Sequence, residues 1–109
     1  MVTRISTYAG PAERLDDFIR GLRQNMWALR EFSGFAGAYM LVDRQTGDAM
    51  TLTFWDSPEA EVETAEQAGK WRQEAAKATE HTVESVAIFE VAVDVTAAGS
   101  GPEIEGVVV

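Results

Sequence analysis

The sequence predicts an α+β fold of order β-α-β-β-α-β, with four strands in one antiparallel sheet and two helices on one face. Three observations predict it. Two stretches carry apolar residues three or four apart, the spacing that lines one side of a helix. Four runs are rich in β-branched and aromatic residues. Gly, Pro and Asp clusters separate these runs, and 109 residues suffice for one hydrophobic core but not for two.

Residues Val2 to Tyr8 read as the first strand, which Gly10-Pro11 breaks. From Pro11 to about Arg30, the positions Leu15, Phe18, Ile19, Leu22, Met26 and Leu29 form a helical stripe. Pro11 suits a first helical turn, Glu13, Asp16 and Asp17 sit near the positive dipole end, and Arg30 sits near the negative one. Ser33-Gly34 ends this helix. Phe35 to Asp43 and Asp48 to Asp56 then form a hairpin around Arg44-Gln45-Thr46-Gly47, where the glycine supplies a positive φ. Ser57 as cap, Pro58 in the first turn and acids just inside open a second helix that runs to about Thr79. Thr82 to Asp94 carries apolar residues on both parities and reads as a last strand buried on both sides. Residues 1–94 are thus the domain, and residues 95–109 are a flexible tail with an apolar end.

With two helices on one face, alternate strand positions on the other face of a monomer should be polar. They are not: Met50, Leu52 and Phe54 alternate with Thr51, Thr53 and Trp55, and Tyr39 and Leu41 alternate with Met40 and Val42. Leaving such side chains wet forgoes several kcal/mol at about 25 cal/mol per Å2. The expectation is a homodimer with its open sheet faces together.

Composition narrows the chemistry. Nine basic residues against eighteen acidic ones give a net charge of −9, which repels nucleic acid and anionic membranes. No apolar stretch has the length of a membrane span, and the amino terminus lacks a signal's apolar core, so a cytoplasmic location is expected. With no Cys and one His, the usual zinc, iron–sulfur and thiol sites cannot be assembled, so neither metal nor other cofactor is expected.

The second helix is the informative element. Glu59, Glu63, Glu66, Lys70, Glu74 and Lys77 fall on one side, and Val62, Ala65, Ala68, Gly69, Ala75 and Ala76 lie opposite, with Arg72 among them. Small residues facing a sheet either allow close approach or leave a hollow, and a charged head there calls for an anionic partner. Alternatively, Arg72 lies along the surface or bridges Glu61. Trp55 and Trp71 read as packing or pocket residues, and Trp27, off the stripe of the first helix, as a contact residue. Asn25 and Tyr39 are candidate cavity linings, and His81 reads as a helix cap.

The stretch Gly34 to Ala60, GFAGAYMLVDRQTGDAMTLTFWDSPEA, resembles the dimeric α+β-barrel proteins of the antibiotic-biosynthesis monooxygenase type, a likeness extending over about Val2 to Asp94. The resemblance implies a ferredoxin-like fold, a dimer and a pocket between sheet and helices. In cofactor-independent oxygenases of this type acting on polycyclic phenols, Trp55 matches a pocket Trp of the third strand and Arg72, in KWRQEA, matches an Arg of the second helix. Thr51 stands where those enzymes carry Asn, and Glu61 where they carry Tyr. Haem-degrading relatives need an Asn in the first strand, where Ile5 and Ser6 stand, and a late helical His, which His81 overshoots.

The implied reaction is O2-dependent oxidation of a phenolic or polyketide-like aromatic substrate. Arg72 stabilises its enolate, Trp55 shapes the pocket, Glu61 serves as base, and Thr51, Thr53, Tyr39, Asn25 and Trp71 bind the substrate. Two alternatives remain: a noncatalytic small-molecule-binding or structural dimer, and a small isomerase or cyclase using Glu61 and His81.

Overall fold

β1 (Val2–Ala9) lies inside the sheet, between β3 (Ala49–Trp55) and the edge strand β4 (Thr82–Glu90), with β2 (Phe35–Val42) at the far edge. All three pairings are antiparallel, and the order β2-β3-β1-β4 places the two hairpin strands side by side. α1 (Leu15–Ala28) and α2 (Pro58–Ala78) complete the predicted β-α-β-β-α-β order in the computed structural model, which describes residues 1–95. The predicted tail beyond residue 95 lies outside the described residues.

The first helix is more segmented than its apolar stripe suggests. Pro11 is extended, a 3-10 turn spans Ala12–Arg14, α1 follows, and a second 3-10 turn, Leu29–Glu31, ends at extended Phe32. Such tightened turns satisfy terminal N–H and C=O groups that have no α-helical partner. α2 starts as predicted: the Ser57 hydroxyl accepts from the Ala60 amide at 3.2 Å, and Pro58 stands in the first turn. Gly47 in the hairpin loop has φ +89, as its place in the loop requires. It is also buried: a Cβ there would lie 2.0 Å from the Gly10 carbonyl oxygen, so the hairpin tip seats directly on the chain entering α1.

Two predictions about burial are corrected. β4 is not buried on both sides: Val86, Ile88 and Phe89 are each about half exposed. An edge strand has a neighbour on one side only, and β4 reaches past the cover of the helices. It ends at Glu90 and not Asp94: Glu90 pairs with Val2, the first residue of β1, and beyond that pair a single bond from the Val91 amide to the Met1 carbonyl, at 2.9 Å, continues the contact. Val62, predicted to face the sheet, is largely exposed; the inward side of α2 carries Glu61, Thr64, Ala68 and Ala76.

On the helix-covered face, the core falls into two apolar clusters. Tyr8, Leu15, Phe18, Leu22, Ala49 and Ala76 form one; Val2, Leu29 and Trp55, with Phe32, Phe35, Ala60 and Trp71 against them, form the other. The register explains the division. Val2 pairs with Trp55 at one end of the β1–β3 ladder and Tyr8 with Ala49 at the other, while Arg4 pairs with Thr53 and Ser6 with Thr51 in the middle. A buried polar band therefore crosses the sheet between the clusters.

Candidate functional site

The band begins with Arg4. Its Nε donates to Glu61 Oε2 at 2.9 Å, and its Nη2 donates to the Glu61 carbonyl and to Thr64 Oγ1, each at 2.9 Å. Both side chains are buried, and the guanidinium also lies over the Trp55 ring, 5.5 Å from its centroid. A buried charge is tolerable only when paired and hydrogen-bonded, and here each of these hydrogen bonds ties β1 to the first turns of α2. Glu61, predicted as a base, is thus held by Arg4, and it is not among the residues that line the hollow described next.

Beyond Arg4, the sheet and helices enclose a hollow of about 40 Å3. Its floor is Arg4, Ser6, Tyr8, Thr51 and Thr53; α1 and the turn after it contribute Leu22, Asn25, Met26 and Leu29; α2 contributes Ala68, Trp71 and Arg72. The volume suits a few water-sized bodies. Tyr8 Oη lies 2.9 Å from Thr51 Oγ1, with its ring edge-on to Phe18. Burial raises the Tyr8 pKa, and the hydrogen bond to Thr51 and the nearby Arg72 charge oppose that rise. Arg72 is half-buried, and its Nε is shielded from solvent without a hydrogen-bond partner. Burial lowers its pKa, with the Tyr8 hydroxyl countering most strongly. Ala68 lines the hollow with it, and a Cβ on Gly69 would make only an ordinary contact with Arg72 Nη2, at 3.5 Å.

Of the residues predicted from sequence, Arg72, Asn25, Thr51, Thr53 and Trp71 meet at this hollow. Trp55 does not line it: it is fully buried behind Thr53, donating from Nε1 to Thr53 Oγ1 at 2.9 Å and meeting Phe35 edge-on. Tyr39 is displaced furthest. It pairs with Leu52, on the parity opposite Thr51, so it projects from the open face, exposed and edge-on to Phe54. His81 does cap the end of α2, its amide donating to the Ala76 carbonyl at 2.8 Å. It is buried, stacked on Phe18 with centroids 4.3 Å apart, and its Nδ1 contacts the Thr79 carbonyl at 3.0 Å. The residues missed from sequence are Arg4, Ser6 and Tyr8. One parity of β1 carries all three, and the available signal was a lone Arg within a strand-forming run.

Met26 is shared with a second space, an open groove of about 380 Å3 between α1 and β2. No group of three or more potential metal ligands occurs among the described residues, and none of their helices is long and apolar enough to cross a membrane.

No family model matches the sequence, and no curated protein does. Solved structures do match. A candidate antibiotic biosynthesis monooxygenase from Deinococcus radiodurans superposes with a TM-score of 0.71 at 20% identity, covering 91% of this chain and all of that one. SnoaB, a cofactor-independent oxygenase from Streptomyces nogalater, gives 0.63 at 16% identity, over 85% of this chain and 94% of its own. Rv0793 from Mycobacterium tuberculosis gives 0.67 at 13% identity, over 85% and 96%. The chain therefore has the ferredoxin-like α+β fold of the antibiotic-biosynthesis-monooxygenase proteins.

Proposed function

We propose that the protein is a cofactor-independent monooxygenase that oxidises a phenolic, polyketide-like aromatic substrate with O2, working as a homodimer joined through its open sheet faces. One observation carries the reading: the half-buried Arg72, whose Nε is shielded from solvent and unpartnered, lines a hollow with hydroxyls on its floor. The likeness in fold to a cofactor-independent oxygenase supports it.

The chemistry follows from the charges. A phenolic anthrone loses a proton from its central CH2 to water, and Arg72 stabilises the resulting enolate in a site of low dielectric. The enolate passes one electron to O2, and the two radicals join to form a carbon-bound peroxide. Loss of water from the protonated peroxide leaves a C=O, so one oxygen atom enters the product and the other leaves as water. Tyr8, whose burial favours the protonated phenol, lines the same hollow as Arg72 and serves as the proton donor; Thr51 orients it. Glu61 acts through Arg4 as a positioning residue. The substrate's own enolate reduces oxygen, so the step needs no flavin or metal.

The small volume of the hollow and the pairing of Glu61 with Arg4 favour a second reading, a noncatalytic binding dimer of the same fold. Oxygen uptake with 1,8-dihydroxyanthrone separates the two. The monooxygenase consumes one O2 per quinone formed, and Arg72→Ala lowers the rate about 100-fold. Absence of uptake assigns the binding role, and equal turnover by the variant removes Arg72 from the mechanism.

A further inference from the structure

We infer that the open groove between α1 and β2 recognises an aromatic carboxylate, an assignment that rests on the proposed activity and deepens it by naming the acidic end of the substrate. The first observation is a census of the arginines. Seven occur in the chain, and Arg4, Arg14, Arg20 and Arg44 are in ion pairs. The three outside any ion pair among the described residues are Arg23, Arg30 and Arg72. Arg72 lines the hollow; Arg23 and Arg30 line the groove and are the only charged side chains among the described residues that line it. In a chain with eighteen acidic side chains, arginines left unmatched at two spaces that share Met26 as lining mark where an anion from outside fits.

The second observation is how the sequence builds the groove. Ile19, Arg23, Met26, Trp27 and Arg30 recur at helical spacing along α1 and the turn after it, a stripe beside the one that enters the core. Facing them, Phe35, Ala38 and Met40 share the helix side of β2, Phe35 through the register shift before Gly37, and are left uncovered because β2 is an edge strand. The lining between the arginines is thus apolar, with two aromatic rings and two thioethers, which suit a flat ring system. Arg30 already lies over the exposed Trp27 ring, 4.8 Å from its centroid, so its plane is set beside an aromatic face. Two guanidinium forks favour a planar carboxylate over a neutral polar group. Volume agrees: the groove has room for a fused ring system, and a ligand lying against Met26 brings its edge to the hollow that Arg72 lines.

Equilibrium dialysis in oxygen-free buffer tests the assignment on the full chain, with anthracene-2-carboxylate and neutral anthracene-2-methanol as probes. The carboxylate binds about tenfold more tightly than the alcohol, and Arg23→Gln/Arg30→Gln abolishes that preference while retaining alcohol binding. Both arginines are exposed, so the variant keeps the fold, and an unchanged circular dichroism spectrum checks this. Equal binding of the two probes by the parent, or a preference that survives in the variant, overturns the assignment. So does a change in sedimenting mass on substitution, which makes the groove a contact between copies. No turnover is measured, so failure here leaves the oxygen-uptake result standing, and the converse also holds.

Discussion

The two faces of the sheet invert the usual division between inside and outside. Toward the helices, the middle of the sheet is polar yet buried: Arg4, Ser6, Thr51 and Thr53 are all shielded. On the other side, Tyr39, Leu41 and Phe89 are at least half exposed, and Ile5, Leu52 and Phe54 are only partly covered. Buried polarity costs stability unless each group is partnered, so it marks a place where chemistry outranks packing. Exposed apolar surface is the mark of a face awaiting a partner.

The largest expected effect comes from breaking the polar side. Glu61→Ala leaves Arg4 buried without its anion and destabilises the fold by about 3–5 kcal/mol in urea denaturation. Replacing both partners, Arg4→Met with Glu61→Leu, recovers most of that loss if the pair matters mainly for its own neutralisation. On the apolar side, Leu52→Glu with Phe54→Lys abolishes the proposed dimer, raising its dissociation constant at least about 100-fold. Sedimentation at micromolar concentration reads this directly, and a parent chain that sediments as a monomer ends the dimer proposal.

Smaller effects sharpen the contrast. Tyr8→Phe removes one buried hydrogen bond, worth about 1 kcal/mol. It also changes the pH dependence. Burial raises the Tyr8 pKa above the unfolded value of about 10, so the folded state holds that proton more tightly. The associated stability is whole below pH 10 and declines as the pH climbs past it toward the folded-state titration; in Tyr8→Phe that part of the decline disappears. Trp27→Ala, at a position 57% exposed, changes stability by no more than about 0.5 kcal/mol.

The elements were legible because helix and strand periods differ and their boundaries carry caps: Ser57-Pro58 and Gly47 act as their chemistry dictates. The exposure of β4 was not legible, since apolar residues on both parities suit an edge strand that meets a partner as well as a central strand. At the site, Arg72 could be found because it interrupts a stripe of small residues on α2. Arg4 could not be found in the same way. β1 alternates no apolar face, and only the pairing of Val2 with Trp55 fixes which parity turns toward the helices. Glu61 illustrates the limit of periodicity: its position near the helix start fits a solvated acid, and its partner lies 57 residues away. Tyr39 shows the same for a strand, where one step along the chain decides between the two faces.

The seat of Gly47 on Gly10 bears on how the protein can be engineered. Hairpin tips are ordinarily the place to graft an epitope, splice in a domain or open new termini. Here the tip is a mortised joint between hairpin and helix, so lengthening it pries apart the very corner that orients α1. A fluorophore or affinity handle belongs instead on the outer side of α2, around Glu63 or Glu66, where side chains are exposed.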